Sequence, residues 1–131
     1  MRVDLAVLAD YATVTHDEKL VIVGVFDSIL TPTLPAQHHS MYVALRVCSG
    51  PADNGSHTLT VRLVDPDGQT VGAELKADFT VKVPLDGDAE GALQLVVGMG
   101  NLTFASHGPY AVDILIDERF EETVSLRLHG Q

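Results

Sequence analysis

Between Ala73 and Val83 apolar and polar residues alternate without a slip. Ala73, Leu75, Ala77, Phe79, Val81 and Val83 form one set, and Glu74, Lys76, Asp78, Thr80 and Lys82 form the other. Successive side chains of a strand point to opposite faces, so this pattern predicts a strand with one dry face and one wet one. The same period places Leu59, Val61 and Leu63 inward in "HTLTVRLV", and Met41, Val43, Leu45 and Val47 on one side of "MYVALRV". It also aligns Tyr110, Val112, Ile114 and Ile116, then Val124, Leu126 and Leu128. No segment sustains a helical period beyond two turns, so the chain must build its core from sheets.

The breaks between these runs carry turn chemistry. "DPDG", Asp65 to Gly68, suits a tight type I turn, and "GPADNG", "PLDGDAEG" and "SHGP" punctuate other joints. Two stretches are less regular. "LVIVGVF", Leu20 to Phe26, is apolar on both faces, as expected of a central strand covered from both sides. In "VVGMGN" the alternation lapses at Gly98 and Gly100, which predicts a strand end or a bulge. About seven to eight short strands with frequent turns predict an all-β, single-domain antiparallel β-sandwich over residues 1–131. In "SHGPYAVDILI", Gly108 lies two residues before Tyr110, which opens an alternating strand. This resembles the tyrosine corner of immunoglobulin-like domains, which implies a ring packed inward with its hydroxyl bonded to nearby backbone.

Charge excludes several function classes. A formal net charge of −10 opposes nucleic acid and anionic membrane surfaces, both of which demand clustered cations. Cys48 is the single cysteine, so neither an intrachain disulfide nor a cysteine zinc cage is expected. The opening "MRVDLAVLAD" is interrupted by Asp4 and Asp10 and lacks the apolar core of a secretory signal. The expectation is a cytoplasmic protein.

The nearest approach to a chemical site is "PAQHHS", Pro35 to Ser40. Strands alternating up and down would bring loops 28–40, 65–69 and 105–109 to one end, gathering His38, His39, Asp65, Asp67 and His107. Three imidazoles and a carboxylate suit a divalent metal ion. Adjacent residues of an extended chain diverge, however, and the spacing matches no metal motif, so a polar loop is the expected reading. The other end would collect Asp17, Glu18, Asp53, Asp86, Asp88, Glu90, Asp117 and Glu118, oxygen donors of the kind calcium takes, but no complete calcium-loop pattern continues from them. Cys48 has no histidine nearby in sequence to activate it. No nucleophile elbow or phosphate-cradling loop is present, so no catalytic constellation and no cofactor site can be assembled.

One feature exceeds what a solvated sheet needs. Val21, Val23 and Val25 form an apolar set opposite Leu20, Ile22 and Phe26. The first strand likewise sets Val3, Leu5 and Val7 against Ala6 and Leu8, and the "YAVDILI" strand carries Ala111 and Leu115 opposite its core side. If these strands share a sheet, its outer face needs a cover, either loop 28–40 or a second copy.

"VDLAVLADYATV", "KLVIVGVFDSI" with the proline-containing loop to Pro35, and "GPYAVDILID" together resemble a family of small uncharacterised bacterial proteins, met particularly in actinobacteria. The resemblance implies a β-sandwich and carries no catalytic residues. The expected function is a non-enzymatic binding or interaction module, self-associating as a homodimer through Val21, Val23, Val25 and Leu115 or binding a protein partner. The alternative is a metal-binding module or metal-dependent enzyme using His38, His39, His107 and Asp67.

Overall fold

The computed structural model describes residues 1–86 and 90–131. Among them lie nine strands: β1 (Arg2–Val14), β2 (Leu20–Phe26), β3 (Ser28–Leu30), β4 (Ala36–Ser49), β5 (Gly55–Val64), β6 (Leu75–Val81), β7 (Gly91–Phe104), β8 (Gly108–Ile116) and β9 (Arg119–His129). They form a four-stranded sheet, β2-β1-β4-β7, and a five-stranded sheet, β3-β9-β8-β5-β6, packed on one another. Every pair is antiparallel except β3 with β9, so the second sheet is mixed rather than purely antiparallel. No helix among the described residues is long and apolar enough to cross a membrane.

Alternation decides which side of each strand is dry. Leu59, Val61, Leu63, Phe79, Val81, Tyr110, Val112 and Ile114 are all buried, and Met41, Val43, Leu45 and Val47 meet them from the first sheet. At roughly 1.5–3 kcal/mol for each large apolar side chain removed from water, this layer is the main stabilising term. The Tyr110 ring lies edge-on to Phe104 at 5.1 Å, and its hydroxyl donates to the Ser106 carbonyl at 2.9 Å.

The turn at Asp65 forms as its residues demand. The Asp65 carboxylate accepts from the backbone of Asp67 and Gln69, both at 2.9 Å, and Gly68 takes φ +83°. The β8–β9 turn is less comfortable, since Asp117 (φ 53°) and Glu118 (φ 66°) both sit in the left-handed region without being glycine.

Three sequence expectations are corrected here. β2 is an edge strand rather than a central one, and Val21, Val23 and Val25 on its second face are exposed rather than covered. β7 runs unbroken through Gly98 and Gly100, and its irregularity falls at Asn101, which takes φ 54°. Segment 28–40 is not one loop: Ser28–Leu30 joins the second sheet, and Ala36–Ser40 opens β4.

Candidate functional site

Strand register places the expected metal ligands apart. His38 lies in β4 opposite Leu102, half-buried, with its ring 6.1 Å from that of Phe26 and its Nε2 buried without a hydrogen-bond partner. His39 is its exposed neighbour on the same strand, and adjacent side chains on a strand diverge. His107 Nε2 is engaged with the Thr31 carbonyl at 2.8 Å, and Asp67 is exposed in the β5–β6 turn. Among the described residues no three His, Cys, Asp or Glu side chains are close enough to hold a metal ion. The acidic residues fare no better. The β1–β2 turn bends back, so that Glu18 lines a hollow with Ser49, Val83 and Gly91 near the Asp53 end, yet among the described residues no three of these acids are close enough to hold an ion. Asp88 lies outside the described residues.

At the Asp53 end sits a cluster that sequence reading missed. His57 Nδ1 is 2.6 Å from Asp117 Oδ2, and Nε2 is 2.6 Å from the Asp53 carbonyl oxygen. Both partners are acceptors, so the ring donates from both nitrogens and is an imidazolium. The bond to Asp117 first, then that to Asp53, raises the His57 pKa, while burial opposes them. The ring stacks on Phe79, with centroids 5.5 Å apart. With both nitrogens engaged it has no free lone pair for base catalysis, so it acts as a clasp.

Cys48 is also occupied. Its thiol donates to Asp4 Oδ2 at 3.2 Å, and that bond together with burial raises its pKa. A thiol held protonated is a poor nucleophile.

The outer face of the first sheet is the surface whose chemistry is unusual. Opposed residues of neighbouring strands share a face, so the register reads as rows across the sheet. One row is Val25, Ala9, Tyr42 and Gly98, and a second is Val7, Ala44 and Val96. Above them Val23 faces Tyr11. Below them Leu5, Arg46 and Gln94 begin a polar margin, completed by Asp4, Arg2 and Glu90. Large and small residues interlock within the rows. The Tyr42 ring lies over Gly98, where a Cβ would come within 3.1 Å of it, and meets Tyr11 edge-on at 5.4 Å. Ala9 and Ala44 are fully covered by these neighbours, yet Val25 is 61% exposed, Val23 54% and Tyr11 49%. The face is not bare throughout, since the β1–β2 turn reaches its far end, where Glu18 lines a hollow with Ser49, Gly91 and Leu93.

The sheets differ sharply. The outer side of the second sheet carries Arg62 paired with Glu74 at 3.3 Å and Lys76 paired with Glu118 at 3.1 Å, with Phe120, opposite Leu115, its one large exposed apolar residue among the described residues of β5, β6, β8 and β9. Leu115 belongs to β8 in that sheet, so it lies on the far side of the molecule from Val21, Val23 and Val25 and is not part of their patch. Tyr11 and Tyr42 belong to the patch instead. Their signal in sequence was faint, because a lone tyrosine on the second face of a strand becomes informative only once the register sets it beside another.

No curated protein and no solved structure matches the chain. A family of unknown function (DUF6941) matches residues 4–129, so the chain is a member of that family.

Proposed function

We propose that this protein is a non-enzymatic interaction module whose working surface is the outer face of β2-β1-β4-β7, and that the occupant is a second copy of the chain. The observation that carries this reading is the exposed apolar set Val21, Val23, Val25 and Tyr11 in a protein whose other outer face carries ion pairs. Apolar centre and charged margin are the usual anatomy of an interface. A stable two-fold contact buries ~800 Å² per partner, so the exposed residues of β1 and β2 must enter it together with their polar margin.

Charge favours this face over others for self-association. Two copies bring together a formal charge of −10 each, so the contact must be poor in acids, and the central rows contain none. An immunoglobulin-like arrangement is supported by the Tyr110 bond to the Ser106 carbonyl at the β7–β8 corner. The test is a dilution series followed by backbone amide NMR. Shifts concentrated on Val7, Tyr11, Val23 and Tyr42 are expected, and shifts on the outer face of β5 and β8 instead would overturn the reading.

A further inference from the structure

A second surface, independent of the apolar face, lies along the seam where the two sheets meet beside β1 and β9. β2 pairs with β1 only from Leu8 onward, and β3 pairs with β9 only from Arg127 onward. Between them the chain crosses from one sheet to the other at Asp27, whose carbonyl accepts from the Arg127 amide at 2.8 Å. The crossing leaves Arg2–Val7 of β1 with no strand on the side away from β4. That is six residues, ~20 Å of chain at about 3.3 Å each, interrupted by a register shift at Asp4, so the regular outward-facing edge is Leu5–Val7. A groove runs beside this free edge, lined by Ala6 and Val124 with Asp27 and Glu122.

We infer that this groove is a strand-addition site for an extended cationic peptide segment. Backbone bonds to Leu5–Val7 would hold the segment, and its alternate side chains would point into the seam. Charge selects the occupant. Glu122 stands on the core side of β9, opposite Ile114, where its Oε1 accepts from the Thr123 amide at 3.0 Å, and neither it nor Asp27 forms an ion pair among the described residues. An inward-pointing carboxylate repels an apolar strand, which would bury it unpaired, and repels an acidic one directly. A lysine or arginine at the matching position turns the same carboxylate into a partner.

The experiment is amide hydrogen exchange on the full chain with a synthetic peptide of about eight residues alternating Lys with Val, and with the same peptide carrying Glu for Lys. At peptide concentrations about tenfold above Kd, the outward-facing amides of Leu5–Val7 should exchange roughly tenfold more slowly, while the Glu peptide leaves them unchanged. Glu122→Gln with Asp27→Asn, which keeps side-chain shape, should weaken the Lys peptide by about tenfold, as should raising the salt from low to ~0.5 M. Equal protection by both peptides, protection of the β6 and β7 edges instead, or no protection would overturn the inference. Protection that grows with protein concentration alone would also overturn it, by making the occupant a second copy.

Discussion

His57 and Asp117, sixty residues apart in sequence, share a 2.6 Å hydrogen bond that ties the start of β5 to the β8–β9 turn. Because the other ring nitrogen meets the Asp53 carbonyl, the clasp needs the charged ring. Its pKa is raised above the ordinary 6.5, so its contribution is fully present below that value and is lost as pH rises through the folded value. Asp117 and Asp53 are lowered, Asp117 first by His57 and Asp53 first by the Gly50 amide, so their contributions are lost only as pH falls below the usual carboxylate range. We expect the melting temperature to decline from mildly acidic to alkaline pH, and His57→Gln to flatten that slope. At pH 6 the substitution should cost about 1–2 kcal/mol, the scale of a charged hydrogen bond. A slope unchanged in His57→Gln would assign the pH dependence to other groups.

Gly24 takes φ +71° inside β2, and a Cβ built there would stand 2.5 Å from Asp10 Oδ2. Gly24→Ala therefore meets two penalties, a left-handed backbone and a clash, and should destabilise by about 1–3 kcal/mol. Asp10→Ala removes only the clash. Urea unfolding of both single variants and the double variant should show Gly24→Ala costing less in the Asp10→Ala background, with a residue of about 1 kcal/mol from the backbone. Equal cost in both backgrounds would show that the carboxylate is not the obstacle.

The β8–β9 turn offers the reverse case. Two-residue turns of this hand favour glycine, yet Glu118 occupies the second position at φ 66°. Its exposed bond to Lys76 at 3.1 Å is worth little in water. Glu118→Gly should stabilise the protein by about 0.5–1 kcal/mol in a denaturant titration. A loss of stability would mean that the Lys76 pair outweighs the backbone strain.

Much of the fold could be read from residue order, because alternation in stretches such as Leu59–Leu63 and Tyr110–Ile116 names the dry face directly. The position of β2 could not. A strand apolar on both sides looks alike whether it is central and covered or at an edge and exposed, and only pairing distinguishes the two. The same limit separated Leu115 from the valines, since residue order says which face a residue takes but not which sheet its strand joins. The patch centre depended on register: Tyr42 and Val25 flank Ala9 only because β1 pairs with β4 and β2 at those offsets. The His57 clasp joins three segments distant in sequence and left no local pattern.

Light scattering over a range of protein concentrations tests self-association through the exposed sheet face most directly. The expected mass at high concentration is twice the 14.0 kDa of one chain. Moderate salt should strengthen the association by screening the repulsion between two acidic copies. Val23→Lys, which sets a charge at a site already 54% exposed in the monomer, should leave the fold intact and return the mass to that of one chain. A monomeric mass at every concentration, or a dimer that withstands Val23→Lys, would contradict self-association through this face.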